Sequence, residues 1–463
     1  MTANRQDVEA LVAIVGASNV LTGADLAARR DDYHATGPMQ GQCLIRPRST
    51  QEVSAILAYC NAHGIKIVPQ GGCTGLVHGA RTDVTDVALS LERMRQIEEI
   101  DVIGGTVLVQ AGTTLQAVQE AAAAEGLYYP VGLGARGTAT IGGTISTNAG
   151  GNSVFRYGMT RDQVLGLEVV LADGTVLSSL NRLVKNNAGY DLKHMFIGAE
   201  GTLGVITRAV LRLRSDPGER VTVFLGLDAF DDVIALLQNL SSAFGPSLTS
   251  FEVMWSEFIE IVLSVRKHPW PLSGRYGFYV IVETSGRSRA DVEDCMVKVM
   301  EQGLIADAVV AQDGSQASAI WAIRDDVESL GKVGDARFLY DISLPQVTMA
   351  RYVEDVRQLL RRRRADARLV VFGHIADNNL HVLVYAEHDD QAAVDGIVYG
   401  LLKSLNGSVS AEHGIGLEKR RHLPISRSEA EIEMMRRLKE MLDPNYTLNN
   451  GKVLEGSRAS QGH

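Results

Sequence analysis

The sequence is poor in cysteine and has no long apolar run. Its four cysteines, Cys43, Cys60, Cys73 and Cys295, form no CxxC pair, which argues against a disulfide framework and suits a reducing compartment. No apolar stretch approaches the ~18 residues that a membrane helix needs, and residues 1–36 lack the apolar core of a signal peptide. We therefore expect a cytoplasmic protein.

Positive charge is also scarce. The formal net charge is −10, whereas nucleic-acid binding favours clustered lysine and arginine, so we expect no nucleic-acid partner. The composition, with 45% hydrophobic and 22% charged residues, is that of a globular protein. A chain of 463 residues is long enough for two or three domains with separate cores.

Two glycine-rich segments stand in the first half of the chain. A predicted strand over residues 65–68 runs into Pro69-Gln70-Gly71-Gly72-Cys73-Thr74-Gly75, whose backbone N–H groups could form a nest for phosphate oxygens. On spacing alone, an ordinary turn is the alternative. Residues 132–151 are dominated by small residues, and we interpret them as backbone packed closely against a ligand.

A GxGxxG pattern occurs at Gly132, Gly134 and Gly137. It follows no clear strand, opens no helix and has no acidic residue about 20 positions later, as a dinucleotide-binding fingerprint would require. We therefore reject a Rossmann fold.

Three metal-ligand side chains occur close together in the second half. Predicted strands over residues 369–373 and 380–385 would form a hairpin that brings His374 and His381 to one end. Glu412 would complete three protein ligands, the number typical of a catalytic metal, and this donor set suits Zn²⁺ best, then Mn²⁺ or Fe²⁺. The alternative for two histidines near a turn is a polar surface.

Several motifs, taken in order, resemble a known family. They are the Pro69–Gly75 segment, the segment from Thr140 to Gly151, Gly166-Leu167-Glu168-Val169-Val170-Leu171-Ala172-Asp173-Gly174, and Glu200-Gly201-Thr202-Leu203-Gly204-Val205-Ile206-Thr207. Together they resemble the vanillyl-alcohol-oxidase-type FAD flavoproteins, and within these the D-2-hydroxyacid dehydrogenases of the D-2-hydroxyglutarate and D-lactate branch. Cys73 stands where some relatives carry a flavin-linking histidine, so we expect non-covalent FAD.

The resemblance implies an FAD site built from residues of both glycine-rich segments and from two later motifs. The implied cofactor-binding residues are Gln70, Gly71, Gly72, Cys73, Thr74, Gly75, Gly134, Thr140, Ile141, Gly142, Gly143, Ser146, Asn148, Gly151, Gly204, Ile206 and Asn449.

The resemblance also implies roles around the substrate. His413 would be the general base, and Asn379 would either contact the substrate or support a metal ligand. Arg324 would bind the substrate carboxylate, with an ion pair to Asp325 or Asp326 as the alternative. The branch usually has a lysine, which helps to bind an acidic substrate, where this chain has Leu339. Arg337 could substitute for it, or the substrate is less acidic and more apolar.

These expectations define an α+β protein. We predict an N-terminal helical segment (1–36), a two-subdomain FAD-binding domain (37–216), a substrate and metal domain with an antiparallel sheet covered by helices on one face (217–425), and a C-terminal segment returning to the flavin (426–463). The partners would be a D-2-hydroxy acid and an electron acceptor such as an electron-transfer flavoprotein or a quinone, in a homodimer. A metallohydrolase using His374, His381 and Glu412, and a metal-free flavin oxidase, remain the alternatives.

Overall fold

The computed structural model describes residues 5–33, 35–267, 270–334, 337–386 and 391–456, without the Arg337 side chain. Within these ranges, no helix is both long enough and apolar enough to cross a bilayer. The chain forms two compact units. Unit 1 comprises Met1–Gly151, Gly158–Asp216 and Glu412–His463, and unit 2 comprises Asn152–Tyr157 and Pro217–Ala411. The predicted domain boundaries remain predictions, because each unit combines separate segments of the chain and the units therefore do not correspond one to one to the predicted domains.

Unit 1 contains two main sheets. A four-stranded sheet in the order β1-β2-β4-β3 pairs β2, β4 and β3 in parallel, and a five-stranded antiparallel sheet has the order β5-β6-β10-β8-β9. The strands are β1 (Val20–Leu21), β2 (Cys43–Ile45), β3 (Ile67–Gln70), β4 (Val87–Ser90), β5 (Ile97–Asp101), β6 (Thr106–Gln110), β7 (Leu127–Tyr128), β8 (Val164–Val170), β9 (Val176–Ser179), β10 (Val205–Arg212) and β11 (Arg214–Ser215). The helices are α1 (Arg5–Val15), α2 (Gly23–Ala27), α3 (Thr50–His63), α4 (Leu115–Ala124), α5 (Ile141–Thr147), α7 (Thr160–Gln163), α8 (Lys193–Phe196), α16 (Leu423–Ser426) and α17 (Glu429–Leu442).

Local signals determine helix α3. The Ser49 side chain accepts a 3.2 Å hydrogen bond from the backbone N–H of Glu52, and Gly64 ends the helix with φ +66°. These two residues bound the helix at Thr50 and His63. The helix packs its apolar side into the core of unit 1. The chain then continues into β3 and the glycine-rich loop that follows this strand.

The second glycine-rich segment contains a helix that we did not predict. Helix α5 begins after Thr140, whose hydroxyl accepts a hydrogen bond from the N–H of Gly143, and ends at Asn148 with φ +49°. Residue propensities do not predict this helix, because it contains two adjacent glycines and glycine disfavours helix interiors. The segment is therefore partly regular and is held by caps at both ends.

Unit 2 is built on one seven-stranded antiparallel sheet in the order β15-β12-β14-β13-β17-β18-β16. The strands are β12 (Arg220–Leu227), β13 (Leu248–Trp255), β14 (Phe278–Ser285), β15 (Asp307–Val310), β16 (Arg337–Ser343), β17 (Arg368–Gly373) and β18 (Asn379–Tyr385). The helices are α6 (Val154–Tyr157), α9 (Phe230–Phe244), α10 (Ser256–Arg266), α11 (Arg289–Glu301), α12 (Gly314–Arg324), α13 (Val327–Leu330), α14 (Gln346–Arg363) and α15 (Gln391–Gly400). The predicted antiparallel sheet is confirmed.

The prediction that helices cover only one face of this sheet is wrong. Leu339 packs against the cluster that contains residues of α10, whereas the hydroxyl of its neighbour Tyr340 donates a 2.7 Å hydrogen bond to Asp395 in α15. Neighbouring strand residues point to opposite faces, so helices lie on both. Every position of β13 and β18 is buried, as expected for strands covered on two sides.

Candidate functional site

A cavity of about 370 Å³ lies within unit 1 between the two glycine-rich segments. It collects most of the predicted cofactor-binding residues. Those that line it are Gln70, Gly71, Gly72, Cys73, Thr74, Gly75, Gly134, Thr140, Gly142, Gly143, Ser146, Gly204, Ile206 and Asn449.

Three predicted cofactor-binding residues lie elsewhere. Ile141 is fully buried in the core of unit 1. Asn148 caps α5, and its Oδ1 accepts a 2.9 Å hydrogen bond from the N–H of Arg161. Gly151 has φ +110° and packs against Gly132. They support the walls of the cavity and do not line it.

The glycines of these segments serve two different purposes. A Cβ at Gly72 would overlap the carbonyl of Thr138, and one at Gly142 would lie 2.8 Å from Cβ of Ala111. A Cβ at Gly75 or Gly134 would meet no described atom within 4 Å. Our interpretation that the backbone packs against a ligand therefore suits Gly75 and Gly134, while Gly72 and Gly142 allow the protein's own segments to approach.

This difference gives a prediction for two glycines of one loop. Gly72→Ala is expected to lower the free energy of unfolding of FAD-free protein by at least about 1–3 kcal/mol, because the new methyl group overpacks a backbone contact. Gly75→Ala is expected to leave that stability unchanged and to weaken FAD retention. Thermal denaturation and FAD content measure the two effects, and equal stability of both variants would contradict the prediction.

The same cavity has polar groups that the sequence did not reveal. Asp31 and Asp32 line it, and Oδ2 of Asp32 is 2.5 Å from Nδ1 of His78. The hydrogen bond to Asp32 raises the pKa of His78. His78 has φ +61°, a conformation that costs a histidine less when the side chain is fixed by such a partner. No local pattern marks the pair, because its members are distant in sequence.

Glu200 fixes the segment that carries His413. Its buried carboxylate accepts hydrogen bonds of 2.7 Å from the N–H of Ile415 and 2.8 Å from that of Gly416. Burial raises the pKa of Glu200. The predicted base His413 lines the cavity of unit 1 with Glu412, whose Oε1 accepts a 2.9 Å hydrogen bond from the N–H of Gly151.

The predicted histidine hairpin is present in unit 2. Strands β17 and β18 pair antiparallel, and the connection between them ends at Asn378 with φ +73°. The rings of His374 and His381 lie with their centroids 5.4 Å apart, and both are buried. Buried imidazoles argue against the polar-surface alternative.

The carboxylate of Glu252 lies between His374 and Arg324. Its Oε1 is 2.5 Å from Nδ1 of His374, and its Oε2 accepts a 2.9 Å hydrogen bond from Nε of Arg324. Burial alone would raise the pKa of Glu252, but the charges and hydrogen bonds of His374 and Arg324 hold it below its ordinary value. Arg324 is 3.8 Å from Asp325, so the ion pair that we weighed exists, but the stronger partner is Glu252.

Asp341 has a similar position beside the second histidine. Its Oδ1 is 3.8 Å from Nδ1 of His381 and accepts a 2.7 Å hydrogen bond from Nδ2 of Asn379. Oδ1 of Asn379 is buried and has no hydrogen-bond partner among the described residues. Asn379 thus has an acceptor left for a ligand, as its predicted substrate contact requires.

The chemistry of this donor set fits a divalent metal. Nδ1 of His374 is within hydrogen-bond distance of a buried carboxylate, the arrangement that commonly orients metal-binding imidazoles through Nε2, whereas Nδ1 of His381 is 3.8 Å from its carboxylate. Glu412, the third predicted ligand, belongs to unit 1. The metal and its ligand set remain predictions.

Leu339 occupies the position of the expected lysine. It is partly buried, packs against the apolar cluster around α10, and alternates with Asp341 on the same face of β16. The Arg337 side chain, predicted as a possible substitute, lies outside the described residues.

Two family profiles match most of the chain. One, described as FAD binding domain, matches residues 41–179, and the other, described as FAD linked oxidases, C-terminal domain, matches residues 216–453. The fold is shared with 4-ethylphenol oxidase from Gulosibacter chungangensis (TM-score 0.76, 18% identity, 99% of both chains covered) and with p-cresol methylhydroxylase (TM-score 0.77, 15% identity, 97% and 96% covered). The two profiles thus define an FAD-linked oxidoreductase, and the fold is that of the vanillyl-alcohol-oxidase type.

Similar full-length proteins narrow the family further. The chain is 40% identical to a probable mitochondrial D-2-hydroxyglutarate dehydrogenase of Oryza sativa subsp. indica, with 98% of this chain and 82% of that one covered. It is 36% identical to the mitochondrial D-2-hydroxyglutarate dehydrogenase of Bos taurus (97% and 84% covered) and 38% identical to D-2-hydroxyglutarate dehydrogenase of Xanthomonas citri pv. viticola (88% of each). The chain belongs to the FAD-linked D-2-hydroxyacid dehydrogenases, which confirms the resemblance and FAD as the cofactor, while its non-covalent attachment remains a prediction.

Proposed function

We propose that this enzyme oxidises a D-2-hydroxy acid to the 2-oxo acid by hydride transfer. The observation that carries the proposal is the position of His413, which lines the same cavity in unit 1 as the glycine-rich FAD segments. Family membership supports the reaction class and favours it over the metallohydrolase that we also considered. A cytoplasmic location, a homodimer and an electron-transfer flavoprotein or quinone as acceptor are further parts of the proposal.

The two cofactors would supply what side chains lack. FAD provides the hydride acceptor at its N5 atom. A divalent metal, held by His374 and His381 with Glu412 as the predicted third ligand, would act as a Lewis acid on the substrate hydroxyl. Imidazole and carboxylate donors make Zn²⁺ the first choice.

His413 would accept the hydroxyl proton on an imidazole nitrogen. Histidine is the side chain that most often acts as a general base in enzymes. Glu200 holds the backbone of the following residues, Ile415 and Gly416. This anchoring limits the motion of His413 and favours a fixed geometry for proton transfer.

Arg324 and Asn379 would bind the substrate. Nε of Arg324 is engaged by Glu252 and Nη2 lies 3.2 Å from Nε2 of His374, so a substrate carboxylate would bind the other N–H groups of the terminal nitrogens. The partnerless Oδ1 of Asn379 would accept a hydrogen bond from a donor on the substrate. Together, Arg324 and Asn379 favour a small acid with a hydroxyl group on the carbon next to the carboxylate.

Two kinds of substrate remain, which differ in the side chain of the hydroxy acid. The names of the relatives favour D-2-hydroxyglutarate. Leu339 favours a D-2-hydroxy acid with an uncharged, apolar side chain, because a carboxylate beside a leucine loses water without gaining a partner. We give more weight to Leu339, since it belongs to this chain.

A substrate panel tests the reaction and the role of Leu339 together. The wild type is expected to reduce its flavin faster with apolar D-2-hydroxy acids than with D-2-hydroxyglutarate, and not with the L-enantiomers. Leu339→Lys is expected to raise kcat/KM for D-2-hydroxyglutarate by about 10–100-fold, the equivalent of one charge-assisted hydrogen bond. Anaerobic bleaching of flavin absorbance measures both.

Leu339→Gln is the matched control, because it adds polarity without charge. Equal activity of the lysine and glutamine variants on D-2-hydroxyglutarate would remove Leu339 as the determinant. Absence of flavin reduction by every hydroxy acid tested, with FAD bound, would overturn the proposed reaction.

A further inference from the structure

One carboxylate in unit 2 contacts both a predicted metal ligand and the predicted substrate-binding cation. Glu252 is 1% exposed and has one oxygen on Nδ1 of His374 and the other on Nε of Arg324. Strand β13 supplies it, 122 residues before the histidine. No motif of the sequence assigns a function to this residue.

These contacts orient the His374 ring. An ionised Glu252 can only accept hydrogen bonds, so Nδ1 of His374 must carry a proton. Arg324 can only donate, and its Nη2 lies 3.2 Å from Nε2 of His374, so the lone pair of Nε2 faces Arg324, and a metal bound at Nε2 would replace this contact. A ring whose Nδ1 faces a carboxylate is oriented to bind a metal through Nε2.

The same carboxylate restricts the guanidinium. Nε of Arg324 is held by Oε2 of Glu252, and Nη2 lies 3.2 Å from Nε2 of His374. Cζ of Arg324 also lies 5.3 Å from the centroid of the Phe372 ring, which packs against one side of the guanidinium. Loss of the Glu252 contact would leave this cation free to rotate.

We propose that Glu252 is a positioning residue that orients His374 for metal binding and Arg324 for the substrate carboxylate at the same time. The proposal rests on the proposed function, since it presumes a metal at His374. An amide cannot replace the carboxylate, because both partners are donors and an amide offers only one acceptor oxygen. The role therefore requires a carboxylate and not merely a polar side chain.

The test measures metal affinity separately from turnover. Glu252→Gln is expected to weaken the affinity for Zn²⁺ or Mn²⁺ by about 10–100-fold in chelator competition with the FAD-loaded protein. With saturating metal, the same variant is expected to raise KM for the hydroxy acid more than it lowers kcat. A residue with only a structural role would alter neither the affinity nor this ratio in the folded protein.

Glu283→Gln is a matched control. Glu283 also lies in the sheet of unit 2 and accepts a 3.1 Å hydrogen bond from Trp321 of α12, the helix that carries Arg324. Among the described residues, its carboxylate contacts Thr222, Arg220 and Trp321. The metal affinity of this variant is therefore expected to match the wild type. Should Glu252→Gln fail to fold, Glu252→Asp keeps the charge and is expected to lose affinity, because the shorter side chain cannot reach both partners.

The outcomes separate the two proposals. A wild-type protein with no affinity for divalent metals would overturn the metal site itself. Metal binding by the wild type with unchanged affinity in a folded Glu252 variant would overturn only the positioning role.

Discussion

Replacement of His413 by asparagine is expected to lower the rate of flavin reduction by about 10²–10⁴-fold, the usual contribution of a positioned general base. Asparagine keeps a similar size and can hydrogen-bond but cannot accept the proton at neutral pH. FAD content should stay near the wild-type value, because the backbone around residue 413 is held by Glu200 through Ile415 and Gly416. Anaerobic stopped-flow measurement of flavin absorbance gives the rate.

The pH profile distinguishes a base from a binding residue. In the wild type, the rate should rise with pH as one group loses its proton, and this limb should disappear in His413→Asn. His422→Asn changes a histidine of the same unit outside the flavin cavity and should leave rate and profile unchanged. A His413 variant that reduces its flavin at the wild-type rate would refute the assignment.

Loss of the metal is expected to have an effect of similar size. His381→Ala removes one buried imidazole and should abolish tight binding of Zn²⁺ or Mn²⁺. It should lower kcat/KM by about 10³-fold or more, because a Lewis acid contributes several kcal/mol to stabilising the transition state. Metal analysis and steady-state kinetics with an artificial acceptor measure the two effects.

Chelation and re-addition provide the reversible form of this experiment. Chelator-treated wild type should lose activity and regain it with metal, whereas His381→Ala should not respond to added metal. His63→Ala changes an exposed histidine at the end of α3 and is the control for the loss of an imidazole. Full activity of thoroughly metal-free wild type would instead favour the metal-free flavin enzyme considered at the outset.

Features determined by neighbouring residues were predictable from the sequence. The bounds of α3 follow from Ser49 and Gly64, which lie beside the helix that they terminate. The histidine hairpin follows from two apolar strands around a turn-forming stretch. The family resemblance rests on motifs of the same local kind.

Features that depend on strand register were not predictable in this way. Glu252 reaches His374 because β13 lies beside β17 in the sheet, an order unrelated to their distance along the chain. Asp341 reaches His381 through the pairing of β16 with β18. The helices on the second face were missed because the number of apolar residues in a strand does not show whether one or both of its faces are buried. Strand β13, which is buried at every position, is an example.

The interrupted course of unit 1 has a consequence for biosynthesis. Its last segment, from Glu412 onward, supplies His413 and Asn449 to the cavity and pairs Leu448 with Ile67. A ribosome makes this segment after all of unit 2, most of which is one continuous stretch. Unit 2 can therefore fold during translation, whereas the first glycine-rich segments must wait for the end of the chain. Capture of FAD would then be one of the final events in the maturation of the enzyme.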